Sequence, residues 1–349
     1  MKISSLPKTK FIWILFAIAL LAALLSNIGL VSFIGEEPRR AIVALEMSLS
    51  EEYLVPRING VFYYNKAPVF NWVLLLFIKI FDSTENAIFR LPTVLSFLGI
   101  ALIHYKIISI KIGKELAAWS SLFFITCSNL LFYFSFQAEI DIFYSLIVYV
   151  QIICILHYFQ REAYFKLFVC SYLLTGIGFL TKGLPSLAFQ AITIVTIFLY
   201  YKRYKQLFNI WNFVGILLMT GVIGGYFLAY SFVHGPTPMF TRLITESTNR
   251  SSLSHNFLSI TEHLYKFPLL VITILFPWIL LLSVSRIKKG MKKLRQNEWI
   301  KLNILFIVPN IIVYWLSPGT KDRYLYMFLP SLLSVITYLY LIYPKKIFS

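Results

Sequence analysis

Long apolar runs constrain this chain more than any other feature of its sequence. Phe11–Phe33, Ile88–Tyr105 and Leu264–Val284 each continue for 18 residues or more with at most one Lys or Arg apiece. About 20 residues of helix cross the hydrocarbon of a bilayer, so each run is long enough to span. Composition agrees: 58% of the 349 residues are hydrophobic and 13% charged, against about 45–50% and 25% in soluble domains. A chain of this kind is an all-α polytopic membrane protein, because backbone polar groups in lipid must be satisfied within each helix.

The net charge of +17 does not point to nucleic acid, whose partners carry a soluble basic patch with exposed aromatics. Here the basic residues sit in short loops between apolar runs, the pattern of the cytoplasmic side of a membrane. Cys127, Cys154 and Cys170 fall inside apolar runs and read as buried small hydrophobes. The N-terminal run is too long for a cleaved leader and lacks a small-x-small site, so it reads as the first span.

The runs lie near 11–34, 68–81, 88–109, 117–136, 141–159, 166–181, 184–201, 211–233, 264–285, 300–317 and 323–343. The second is too short to cross and carries Asn71 and Lys79. If it does not cross, the basic loops Lys106–Lys114, Arg161–Lys166, Lys202–Lys205, Arg286–Lys301 and the Lys345–Lys346 tail all fall on one side. The expectation is therefore about ten spans in a single domain, 1–349, with both termini cytoplasmic and no separate C-terminal soluble domain. Residues 35–87 form a large first extracytoplasmic loop in which 68–81 is a juxtamembrane helix. Residues 234–263 form a second large loop.

The remaining charges gather on the opposite, outer side. The first loop carries Glu36, Glu37, Arg39, Arg40 and Lys66, with Arg90 near its end; Glu139 and Asp141 follow in the turn Gln137–Asp141. Lys182 lies in the next outer turn, Glu246, Arg250 and His255 in the second loop, and Lys321, Asp322 and Arg323 in the last. A carboxylate takes the proton of an attacking hydroxyl, and Arg or Lys holds a phosphate and the charge that develops on it. The residues alone therefore reach a membrane enzyme or transporter with an outer-face site. A divalent metal on the outer carboxylates stays open, since no tight ligand spacing marks one.

The motifs go further. Glu36-Glu37-Pro38-Arg39-Arg40, Ala44-Leu45-Glu46-Met47, Val55-Pro56-Arg57-Ile58-Asn59-Gly60 and Tyr63-Tyr64-Asn65-Lys66-Ala67-Pro68 succeed one another in the first loop. Phe89-Arg90-Leu91-Pro92, Gln137-Ala138-Glu139-Ile140-Asp141, Leu180-Thr181-Lys182-Gly183, Glu246-Ser247-Thr248-Asn249-Arg250, Phe276-Pro277-Trp278 and Lys321-Asp322-Arg323-Tyr324-Leu325 continue the order. The series resembles the aminoarabinose transferase (ArnT-like) branch of the GT-C glycosyltransferases, kin of the protein O-mannosyltransferases. The resemblance implies transfer, with inversion, from a polyprenyl-phosphate-linked sugar donor to an extracytoplasmic acceptor, in a bacterial inner membrane. It implies Glu36 as base or orienter and Asp141 as the second carboxylate. Glu37, Arg39, Lys66, Lys182, Glu246, Arg250 and Arg323 would bind substrate. Glu36 stands where the family usually has Asp, Asn65 where an acid often precedes the Lys, and Ala67 replaces a Pro.

Other readings compete residue by residue. Glu37 can instead favour a helix start before Pro38, and Arg40, Arg57 and Arg90 can pin the loop to headgroups. The competing class is a transporter or flippase for a lipid-linked sugar. Such proteins show internal repeats and midplane charge, which this sequence lacks.

Overall fold

The computed structural model describes residues 6–26, 28–235, 241, 245, 257–285 and 287–342. The chain opens with α1 (Leu6–Leu25), α2 (Glu37–Ser50), a hairpin of β1 (Arg57–Ile58) and β2 (Val61–Phe62), and α3 (Val69–Phe81). The bundle follows as α4 (Asn86–Lys111), α5 (Lys114–Ile125), α6 (Ile140–Gln160), α7 (Tyr164–Lys182), α8 (Pro185–Tyr200) and α9 (Ile210–His234). It closes with α10 (Phe257–Leu275), α11 (Ile287–Gln296), α12 (Glu298–Trp315) and α13 (Leu329–Ile342). Among the described residues, seven helices are long and apolar enough to cross a membrane: α4, α6, α7, α9, α10, α12, and α13 together with the turn Asp322–Phe328 before it. The protein is an integral, polytopic, all-α membrane protein.

Four of the ten expected spans form differently. Helix α1 stops at Leu25 rather than near 34, and α8 holds only 16 residues. The run 117–136 is not one helix: α5 ends at Ile125, and a short π-helical turn, Leu130–Phe134, follows. The run 264–285 is displaced, with α10 starting at Phe257 and stopping at Leu275, which removes 257–263 from the expected second loop. Pro277, which has no N–H to donate and crowds the preceding turn, follows directly. The two breaks meet, because the Ser128 N–H donates to the Phe276 carbonyl at 3.1 Å and the Phe123 and Trp278 rings stack at 4.1 Å.

Helix α3 behaves as the short run predicts. Its 13 residues reach about 20 Å at 1.5 Å per residue, short of the roughly 30 Å hydrocarbon core. Its two flanks also return to one end of the bundle. Glu37 at the start of α2 and Arg90 in the first turns of α4 form a buried pair, with Arg90 Nε donating to Glu37 Oε1 at 2.8 Å and Nη2 to Oε2 at 2.9 Å. Arg90 also donates to the carbonyls of Ile28, Val31 and Ser32 at 2.8–3.1 Å, which employs all five guanidinium N–H groups. Breaking such a buried pair costs about 3–5 kcal/mol, since the survivor is left uncompensated.

The hairpin follows from its turn residues. Asn59 and Gly60 have φ of 53° and 76°, the left-handed conformation a two-residue hairpin turn needs and Asn-Gly supplies most readily. Their N–H groups both donate to the Glu46 carboxylate, the Gly60 bond at 3.1 Å, and so tie the hairpin to α2.

Within the bundle, the hydrophobic difference between lipid and a helix face is small, so close packing and interhelical hydrogen bonds hold helices together. Gly215 lets α9 approach α7 closely: a Cβ there would stand 3.0 Å from the Phe168 carbonyl oxygen. Gln151 Nε2 donates to Thr175 Oγ1 and Gln190 Oε1, both at 2.9 Å, joining α6, α7 and α8. His104 hydrogen-bonds with Tyr149 at 2.6 Å and Ser120 at 3.0 Å, joining α4, α6 and α5. These mid-bundle networks are built from neutral side chains.

Candidate active site

Helix α6 begins, and α7 ends, at the end of the bundle that carries α2 and α3. Their charged termini converge there with the turn Asp322–Phe328, which leads into α13. Lys182, the last residue of α7, forms an ion pair with Asp141 in the first turn of α6. Arg323 spans two acids: its Nη1 lies 2.9 Å from Glu139 Oε1 and its Nε 3.4 Å from Asp141 Oδ2. Glu139 and Asp141 are each 2% exposed and Arg40, on α2, 5%. The Arg40 charge acts on both acids. Two carboxylates thus face three cations, Arg40, Lys182 and Arg323, a buried surplus of one positive charge.

Aromatic rings enclose the cluster. The Lys182 ammonium lies 4.1 Å from the Tyr324 ring centroid and 5.0 Å from that of Tyr144, within range of cation–π attraction. Asp322 accepts from Asn129 Nδ2 at 3.0 Å and from the Arg323 N–H at 2.7 Å, which fixes the turn that presents Arg323. Burial above all, and then the Asp141 charge, push the Glu139 carboxyl above its ordinary range, with Arg323 and Arg40 opposing.

Glu36 stands at the rim. Its side chain is 32% exposed and pairs with Arg39 Nη1 at 2.7 Å, and Tyr63 also acts on Arg39. The Glu36 charge reaches both Glu139 and Arg323. The structure therefore gathers Glu36, Arg39, Asp141, Lys182 and Arg323 at one end, as the sequence predicts. Lys66, just before α3, is buried. Glu246, Arg250 and His255 lie outside the described residues.

Glu37 is corrected. Expected to touch substrate, it is 0% exposed and its oxygens are taken by Arg90, by the Ile34 N–H at 2.9 Å and by the Ala138 N–H at 2.7 Å. It clamps the start of α2 to α4 and to the turn before α6. Arg90 and Arg40, read as headgroup anchors, are buried at 1% and 5% exposure. Arg57 lies 4.5 Å over the Phe62 ring within the hairpin. Among the described residues, no group of three or more His, Cys, Asp or Glu stands close enough to hold a metal ion.

Residues 65–232 match the family model of dolichyl-phosphate-mannose-protein mannosyltransferases. The undecaprenyl phosphate-alpha-4-amino-4-deoxy-L-arabinose arabinosyl transferase of Photorhabdus laumondii is 23% identical over 298 residues, 83% of this chain and 52% of that protein. The chain thus spans about half the length of the curated relative it matches. The crystal structure of ArnT from Cupriavidus metallidurans bound to undecaprenyl phosphate superposes with a TM-score of 0.76 at 19% identity, over 93% of this chain and 59% of that one. Its apo state gives 0.72 at 18% identity, over 95% and 59%. The chain therefore shares the fold of the solved ArnT, and its residues 65–232 are similar to the mannosyltransferase family.

Proposed function

We propose that the chain is an inverting membrane glycosyltransferase that takes a sugar from a polyprenyl-phosphate donor and places it on an extracytoplasmic acceptor, a glycan, lipid or protein of the envelope. One observation carries the reading: the buried, net-positive cluster of Lys182, Arg323 and Arg40 beside a half-open carboxylate, Glu36. A phosphodiester donor brings one negative charge, which that surplus matches. The solved ArnT bound to undecaprenyl phosphate supports the same class of lipid here.

The acceptor hydroxyl oxygen attacks the anomeric carbon from the face opposite the lipid phosphate, and its proton passes to Glu36. The bond between that carbon and the phosphate oxygen breaks, and the charge appearing on the phosphate falls to Arg323 and Lys182. Asp141 positions those two cations and touches no reacting atom, since its oxygens already face Lys182 and Arg323. Arg39 and Lys66 serve the phosphate side, and the sequence assigns Arg250 and Glu246, which lie outside the described residues, to substrate binding as well. The cluster lies on the outer face of a bacterial inner membrane, both termini are cytoplasmic, and the chain crosses about ten times.

The test offers the purified protein short-chain polyprenyl-phosphate sugars (pentose, hexose and amino-sugar forms) with envelope extract as acceptor. Polyprenyl phosphate should be released with wild type and not with Glu36→Ala. Movement of intact lipid-linked sugar across liposomes, unchanged by that substitution and without phosphate release, would replace the enzyme by a flippase.

A further inference from the structure

Two polar groups beside the cluster are buried and unengaged. Arg40 is 5% exposed, yet among the described residues it lies within 4.0 Å of no carboxylate, and its Nε donates to nothing. Gln137 is 3% exposed, and its Nε2 also lacks a partner. Their surroundings are shared. Arg40 follows Glu37 by one turn of α2, and Glu37 accepts the Ala138 N–H, so the turn bearing Gln137 lies against the same helix. Ala41 and Ala44 pack with Ala138 and Ile140 in one small core, which leaves Arg40 little freedom to swing outward.

An unpaired buried guanidinium is costly, because a desolvated ion has lost its water and gained no counter-charge. An unmatched amide adds to that cost. The other cations differ. Lys182 is committed to Asp141, and Arg323 to Glu139 and Asp141. Arg40 is near enough to feel both acids and far enough to bond neither. A donor held in that condition suits a ligand that brings its own acceptor oxygens.

We infer that Arg40 and Gln137 form an oxyanion subsite for the lipid phosphate, with Arg40 supplying the positive charge that the free protein leaves unneutralised. The inference rests on the proposed use of a phosphate-bearing lipid and names residues that the motif reading set aside. Arg40 then joins Arg323 and Lys182 on the phosphate and meets it through its planar fork, for which Lys is a poor substitute.

The experiment measures binding of short-chain polyprenyl phosphate to the purified full chain in detergent, together with the ligand-free melting temperature. The proteins are wild type, Arg40→Gln, Arg40→Lys and Gln137→Ala. Arg40→Gln should weaken binding tenfold or more while its melting temperature stays level or rises, because the substitution removes a buried charge that nothing compensates. Arg40→Lys should fall between, and Gln137→Ala should weaken binding severalfold. Unchanged binding in Arg40→Gln overturns the subsite, as does a lowered melting temperature with weaker binding that Arg40→Lys fully restores, the mark of a structural cation. Absence of binding by wild type itself would overturn the lipid-phosphate reading, and the subsite with it.

Discussion

The two ends of the helix bundle use charge in opposite ways. At the α2 end, Glu37, Glu139 and Asp141 are at most 2% exposed, and their partners come from 41 to 184 residues away. At the other end, Arg203 pairs with Glu162 at 2.7 Å with side chains 36% and 61% exposed, and Lys301 pairs with Glu298 one turn away. Exposed pairs contribute about 0–1 kcal/mol. A buried pair such as Glu37–Arg90 resists removal of either partner by several times that. Solvated charge at the other end costs little to keep. Charge drawn out of water at the α2 end is retained at a cost, which is where function is to be sought.

That contrast makes ordered predictions. The largest effect belongs to Arg90→Met, which strands Glu37: about 3–5 kcal/mol of stability lost in detergent unfolding, or no folded protein. Lys182→Met should lower turnover by roughly 10²–10³, the scale of losing one donor to developing charge, while Lys301→Met at the other end leaves turnover unchanged. A pH effect comes next. The Glu139 carboxyl is raised in the folded state, so its contribution to stability is complete below the ordinary glutamate range and is lost as pH rises through the raised value. Glu139→Gln, a mimic of the neutral form, should therefore be more stable than wild type near neutral pH, with the difference vanishing in acid melts. The smallest effect is Arg203→Gln, under about 1 kcal/mol and with no change in turnover.

The same contrast explains what could be read from sequence. Span parity and the one-sided basic loops were enough to place Asp141, Lys182 and Arg323 together, because helices that begin and end at one face bring their termini with them. Burial was not legible. Glu37 and Glu36 are adjacent, as are Arg39 and Arg40, yet helix α2 turns one of each pair inward; which one depends on packing against Ala138, 101 residues from Glu37. Glu139 escaped selection beside Asp141 because both acids lie in the same short window, and only distant partners, Lys182 on Asp141 and Arg323 hydrogen-bonded to Glu139, distinguish their roles. The interrupted span 117–136 carries no charge, and only the short polar stretch Thr126–Asn129 marks where it breaks. The break comes from the Ser128 contact with Phe276, a partner 148 residues distant.

The central claim is that glycosyl transfer occurs at the α2 end, with Glu36 as base. It is tested most directly by measuring polyprenyl phosphate release for wild type, Glu36→Gln and Glu162→Gln in parallel, with melting temperatures alongside. A fall of about 10²–10⁴ in Glu36→Gln at an unchanged melting temperature, with Glu162→Gln indistinguishable from wild type, is the result expected. Full release by folded Glu36→Gln would contradict it and remove Glu36 from the reaction.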